Sequence, residues 1–288
     1  MTTAIRPAPS ETAALGVLSV ECELTGNCQL ECSHCCTLSG PKVSHGVMTL
    51  NDWRQVVDDT AALGIPSVQF IGGEPTRSLH LLPLITHALG RDLTVEVYSN
   101  LTHIRPALWE AFQQVGVRLA TSYYSDQPEQ HDMITGGRGS HQRTRRNIVE
   151  ALDRGIPLRA GLVHVNEGQR VVEAEAELRG LGVLEIRIDR ARAVGRASAD
   201  SATIPNMSEL CGRCFHHRLA VSPDGEVYGC ILSRFMPTGN VRTEGLAAIV
   251  RSDRMAKARA AIPAMGRLPA GRLRRLQPCL HPACAPAH

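Results

Sequence analysis

Aromatic side chains are scarce in this chain. Four Phe, four Tyr and two Trp make up 3% of 288 residues, too few to line a groove on which unpaired bases stack, so single-stranded nucleic acid is disfavoured. A dominant charge is lacking as well: 31 basic residues face 28 acidic ones, a formal net charge of +3. Bulk electrostatics therefore calls for neither a nucleic acid nor an anionic membrane. No uninterrupted apolar run approaches bilayer-spanning length. The opening stretch, residues 1–16, has one Arg, two Pro and no long apolar centre, which excludes a secretory signal and leaves a flexible tail. The expected location is cytoplasmic, with no membrane and no nucleic acid among the partners.

Cysteine is abundant by contrast. Ten are present, and in a reducing compartment such a number serves metal binding or redox chemistry rather than structural disulfides. Within NCQLECSHCCTLSG, residues 27–40, lie Cys28, Cys32, Cys35 and Cys36. Structural zinc normally takes its thiolates as two short pairs, and the spacing here is different. Three thiolates on one loop suit an iron–sulfur cluster with one iron open to a non-protein ligand.

Around this loop the chain alternates between two periodicities. VLSVECEL (17–24) reads as a buried strand, LNDWRQVVDDTAALG (50–64) as a helix closed by glycine, and SVQFIGG (67–73) as a buried parallel strand. Helices near 79–89 and 106–115 flank the strand LTVEVYSN (93–100), and VRLATSYY (117–124) follows. A polar loop rich in Gly and Arg (136–147) leads to a helix ending at ALDRG, then the strand PLRAGLVHV (157–165), a helix near 167–180 and the strand LEIRIDR (184–190). About six such units predict an α/β fold, a partial (β/α)6 TIM-like barrel over residues 17–195 with its active end at the strand C-termini. From residue 196 the pattern changes. A linker precedes CGRCFHHRLAVSPDGEVYGC (211–230), which reads as a hairpin turning at PDG. A short helix near 244–260 and a Pro- and Arg-rich tail complete a small unit, 196–288, whose end needs metal ligation to be ordered.

Cys28, Cys32 and Cys35 after the first strand, with GGEP (Gly72, Gly73, Glu74, Pro75) after the second, resemble radical S-adenosylmethionine enzymes. The resemblance implies that the three cysteines hold a 4Fe-4S cluster whose fourth iron is chelated by S-adenosylmethionine, and that the sulfonium is cleaved to a 5′-deoxyadenosyl radical. It implies that the glycine pair admits the methionine end of the cofactor and that Glu74 meets its ammonium. It places Ser99, Asn100 and Ser122 at strand ends where relatives contact ribose and carboxylate; capping of those strand ends is the competing reading. Cys36 stands where relatives commonly have an aromatic residue, and both it and Cys22 read as small buried hydrophobes.

Cys211, Cys214, Gly225 and Cys230 resemble the opening of the SPASM or twitch extension of these enzymes. There the three cysteines and a later one, here Cys279 or Cys284, hold one auxiliary 4Fe-4S cluster; a zinc ribbon is the competing reading. Relatives with this extension act mostly on peptides. In sulfatase maturases an aspartate base follows the last cysteine, whereas Ile231 follows Cys230 here, so the proton acceptor is missing. VQFIGGEPT, VEVYSNL and GIPLRAGLVHV resemble actinobacterial enzymes that modify ribosomally made peptides. The implied activity is hydrogen abstraction from a precursor peptide, leading to a C–C or thioether cross-link, with electrons from a flavodoxin or ferredoxin. Sixteen leading residues are too few for a leader-binding module, so a separate leader-binding protein or the barrel itself is expected to serve. Tyr123, Tyr124 and Asp126 stand at the barrel mouth as candidate substrate contacts or strand caps. The alternatives are a radical dehydrogenase of a small-molecule alcohol and a non-catalytic zinc-binding interaction protein.

Overall fold

The computed structural model describes residues 16–198 and 207–262. Six parallel strands come first: β1 (Ser19–Glu23), β2 (Ser67–Ile71), β3 (Thr94–Tyr98), β4 (Val117–Tyr123), β5 (Leu158–His164) and β6 (Glu185–Arg190). Between them run α1 (Leu50–Ala62), α2 (Leu81–Leu89), α3 (Pro106–Phe112), the pair α4 (Pro128–Thr135) and α5 (Ser140–Asp153), and α6 (Val171–Gly180). Later come β7 (Arg218–Val221), β8 (Glu226–Tyr228), β9 (Gly239–Asn240), α7 (Val241–Glu244), α8 (Leu246–Val250) and α9 (Asp253–Ala261). The sheet order is β6-β5-β4-β3-β2-β1-β7-β8-β9. The partial α/β barrel expected from the alternation is present.

Alternation along the strands gives the sheet two unlike faces. Val20 and Cys22, Val68 and Phe70, Val95 and Val97, and Leu119 join the core cluster with Trp53, Val56, Leu84, Ile85 and Phe112 from the helices. The intervening residues are polar. The register aligns Glu21 with Gln69, Gln69 with Glu96, and Glu96 with Arg118; the next row runs Tyr98, Ala120, Arg159, Glu185. Charges on this face are paired. Arg159 is fully buried and grips Glu96 through two bonds of 2.7 and 2.8 Å, while Arg118 bridges Glu96 at 3.1 Å and Glu185 at 2.7 Å.

Local chemistry explains where the elements differ from expectation. The stretch 136–147 is not a loop throughout, because Asp132 on α4 accepts from the Gly139 and His141 N–H groups and the Ser140 hydroxyl, capping α5 from Ser140 onward. α4 itself starts with Pro128 at its first turn. The helix expected near 244–260 is three short ones, split at Gly245 and at Ser252, whose hydroxyl accepts from Met255 N. The expected hairpin is β7–β8, yet it shares the barrel's sheet: β7 pairs parallel with β1. Glu21 and Arg218, both buried, close that seam at 2.8 Å, and Glu23 pairs with Arg234 beyond it. Among the described residues no helix is long and apolar enough to cross a membrane.

Candidate active site

The loop that leaves β1 is held from three sides. Cys28 N–H donates to Gly40 O at 3.1 Å, the N–H groups of Glu31 and Ser33 donate to the last carbonyls of α4 (Thr135 O 3.0 Å, Ile134 O 2.9 Å), and Arg196 donates to Cys32 O at 2.7 Å and Ser39 O at 2.6 Å. Cys28, Cys32 and Cys35 thereby line one cavity, about 660 Å³ of empty space with its open mouth included. Each thiol lies within electrostatic reach of the others, and burial, with Glu74 and Cys35 adding to it, pushes Cys28 up to about 12. Among the described residues no three His, Cys, Asp or Glu side chains are arranged to hold a single metal ion. Thiols spread around a void fit a multi-iron cluster, which brings its own volume, better than one ion.

The GGEP turn forms the adjoining wall. A Cβ on Gly73 would lie 2.4 Å from Asn27 O, and one on Gly72 2.5 Å from Thr25 O, so the pair is required first for the close approach of the β1 and β2 ends. Both still line the cavity. Glu74 does not: fully buried, it accepts on Oε1 from Thr76 N (3.1 Å), Thr76 Oγ1 (2.8 Å) and Ser99 Oγ (2.8 Å), and on Oε2 from Asn100 N (2.8 Å). Burial raises its pKa against those donors. Its carboxylate ties β2 to β3. Pro75, buried, opens the short turn beside it, and Ser99 also accepts from Leu101 N as a strand-end cap. Asn100 and Ser122 do reach the cavity. Asn100 Nδ2 lies 3.7 Å from Cys28 Sγ, and Ser122 Oγ 3.3 Å from Tyr98 OH.

Glu74→Ala is expected to cost about 3 kcal/mol in a urea titration, because four buried donors lose their acceptor together. Glu74→Gln, which turns an N–H toward donors, should cost about half as much. A loss below about 1 kcal/mol for the alanine variant would show that the donors find other partners.

Some further wall residues lie on helical stretches that the spacing of apolar residues did not mark: His131 and Thr135 on α4 and Thr144 on α5. Cys36, Tyr98, Tyr124 and Arg196 also line the cavity, with Leu30, Thr37, Ser39 and Ile71. Tyr123 points elsewhere, to His141 Nε2 (2.7 Å) and Glu177 (2.8 Å), and Asp126 pairs with Arg170 at 2.8 Å. The signal for α4, which carries His131, was Pro128 followed eight residues later by Gly136.

A second set of thiols flanks the hairpin. The β7–β8 pairing brings Cys214 and Cys230 together, their sulfurs 3.0 Å apart in a thiol–thiol hydrogen bond with no disulfide between them; Gly229 permits it, since a Cβ there would meet Cys214 Cβ at 2.7 Å. Cys211 shares a hydrogen bond with Cys214, which lowers the Cys211 pKa. Cys279 and Cys284 lie outside the described residues.

Comparison with known proteins agrees with this arrangement. The Radical SAM superfamily profile matches residues 22–173, and the SPASM iron–sulfur cluster-binding domain profile matches 207–284. An AdoMet-dependent heme synthase of Methanosarcina barkeri is 31% identical over 127 residues, 44% of this chain and 36% of that protein. A PqqA peptide cyclase of Ruegeria pomeroyi is 29% identical over 164 residues, 54% of this chain and 43% of that protein. The matched parts thus span less than half the length of these relatives. In fold, the chain is similar to Streptococcus suis SuiB bound to S-adenosylmethionine (TM-score 0.71, 13% identity, 87% of this chain and 70% of SuiB). It is equally similar to SuiB bound to its precursor peptide SuiA (TM-score 0.70, 15% identity, 85% of this chain and 67% of SuiB). A sequence match running from Cys22 to Glu173 takes in more than half of the residues and every cavity-lining side chain except Arg196, and on that extent the chain belongs to the radical SAM superfamily.

Proposed function

We propose that this chain is a radical S-adenosylmethionine enzyme that abstracts hydrogen from a ribosomally made precursor peptide, leading to a C–C or thioether cross-link. The observation that carries the reading is the convergence of Cys28, Cys32, Cys35, Gly72, Gly73 and Asn100 on one cavity at the strand C-termini. The three thiols would hold the 4Fe-4S cluster, and S-adenosylmethionine would occupy the space beside the glycines. Together these groups supply one-electron chemistry that removes hydrogen from an unactivated C–H bond. The protein's part is positional. Asn100 donates to Cys28 Sγ, and Glu74 holds the Asn100 backbone. Cys211, Cys214 and Cys230, with Cys279 or Cys284, would hold the auxiliary 4Fe-4S cluster.

A peptide substrate is supported by the peptide cyclase relatives and by the fold shared with SuiB, which binds SuiA. Sulfatase-type oxidation is disfavoured, because position 231 offers a buried isoleucine where a base would be needed. The reading includes an external flavodoxin or ferredoxin and a cytoplasmic setting, with any leader recognised by a separate protein or by the barrel itself. Its test is anaerobic reconstitution with iron and sulfide, then 5′-deoxyadenosine release measured with reductant alone, with precursor peptides encoded nearby and with an aminoglycoside-type alcohol. Stimulation by a peptide, with a matching mass change, supports it. Stimulation by the alcohol alone would identify a small-molecule dehydrogenase.

A further inference from the structure

We infer that His131 is a cofactor-binding residue whose Nε2 accepts a hydrogen bond from the nucleoside half of S-adenosylmethionine, an assignment that rests on the reading of the cavity above. Buried acceptors are nearly always satisfied, and His131 Nε2 has no partner although the residue is only 1% exposed and lines the cavity. Its other nitrogen is committed: Nδ1 lies 3.1 Å from Ser140 Oγ.

The hydrogen-bond chain behind it fixes the tautomer. Ser140 Oγ lies 2.9 Å from Asp132 Oδ1. Asp132 stays ionised, because the N–H groups of His141 and Gly139 and the Ser140 hydroxyl outweigh its burial. A carboxylate can only accept, so Ser140 spends its single proton there and must accept from His131 Nδ1–H. Burial and the neighbouring His141 hold the ring neutral, at about 3. Nε2 is therefore a bare lone pair. The nearby rings leave it unsatisfied: Tyr123 OH serves His141 and Glu177, and Tyr124 OH bonds Ser122.

Nε2 takes an N–H or O–H donor of either charge, and both ends of the cofactor carry one, so position in the cavity decides between them. The methionine end of the cofactor carries an ammonium and a carboxylate, whereas its nucleoside offers ribose hydroxyls and an adenine amine. Placement favours the nucleoside, since the glycines are the expected neighbours of the methionine end, whereas the His131 ring packs against Tyr124 with centroids 5.3 Å apart, beside Ser122 at the end of β4, an expected ribose contact.

The test measures dissociation constants of S-adenosylmethionine, S-adenosylhomocysteine and methionine by anaerobic equilibrium dialysis on the reconstituted full chain. His131→Asn keeps a donor toward Ser140 and loses the ε acceptor; His131→Gln returns an acceptor near the ε position. With iron content and urea midpoint as controls, the asparagine variant should bind both adenosyl compounds about five- to tenfold more weakly. Methionine binding should be unchanged, and the glutamine variant should recover most of the loss. Analogues lacking the ribose 2′-hydroxyl, the 3′-hydroxyl or the adenine amine identify the donor: the matching one shows no further loss in His131→Asn. Unchanged adenosyl affinity in His131→Asn, or an equal loss for methionine, overturns the inference. So does a loss confined to peptide binding. Native protein that binds no S-adenosylmethionine would overturn the underlying reading as well.

Discussion

With Cys28, Cys32 and Cys35 all changed to alanine, release of 5′-deoxyadenosine is expected to fall to background while the fold survives. The three sulfurs face a cavity, and the loop is held by its backbone, through Gly40, Thr135, Ile134 and the Arg196 guanidinium, so losing the thiols removes ligands without removing supports. The urea midpoint of the metal-free variant should stay within about 1–2 kcal/mol of the metal-free native chain, the range of ordinary truncations. Deoxyadenosine from the triple variant would mean that the chemistry lies elsewhere. A collapse in stability would mean that the thiols are packing residues first.

Arg159→Met is expected to be the most destabilising single change on the polar face of the sheet, at about 3–5 kcal/mol near neutral pH, because it takes the two-bond partner from a buried carboxylate and leaves it only Arg118 and Gln69. Glu96 is buried, which opposes its charge, yet Arg159, Arg118 and Gln69 together hold its pKa at about 2. A carboxyl depressed on folding contributes stability that is present above its unfolded value and is lost as pH falls toward the folded one; here that contribution is about 3 kcal/mol, lost between about pH 5 and 2. Without Arg159 the Glu96 carboxyl rises. The gap between variant and native chain should therefore narrow from pH 7 to pH 3.5, as urea midpoints at both would show. Glu96→Gln with Arg159→Met should recover much of the loss, since no charge then remains unpaired; an equal cost in single and double variants would point to lost packing instead.

The parallel strands and the helices outside them were legible because each buried strand is a short apolar run closed by turn residues, as SVQFI is by Gly72 and Gly73. The thiol loop was legible from spacing alone. What local sequence could not convey was direction. Nothing in GGEP tells whether Glu74 faces a ligand or the end of β3; that depends on the register that sets Ser99 and Asn100 beside it. His131 is a single residue on a short helix, and its importance lies in which nitrogen Ser140 occupies. The polar stretch from Ser140 became helical through Asp132, a cap donated by the preceding helix. The pairing of β7 with β1 joins residues nearly two hundred positions apart, for which no local pattern exists.

That distant pairing bears on biosynthesis. β1 can dock on β2 once residue 71 has emerged, but its other edge, facing Arg218–Val221 in the finished protein, waits for some 150 further residues. At ribosomal speeds this is on the order of ten to thirty seconds. For that interval the nascent chain shows an open strand edge bearing Glu21 and Glu23, two carboxylates that end up buried against Arg218 and Arg234. Unpaired charge is a known guard against edge-to-edge association. The same two residues that lock the hairpin in place at the end thus keep unfinished copies apart at the start.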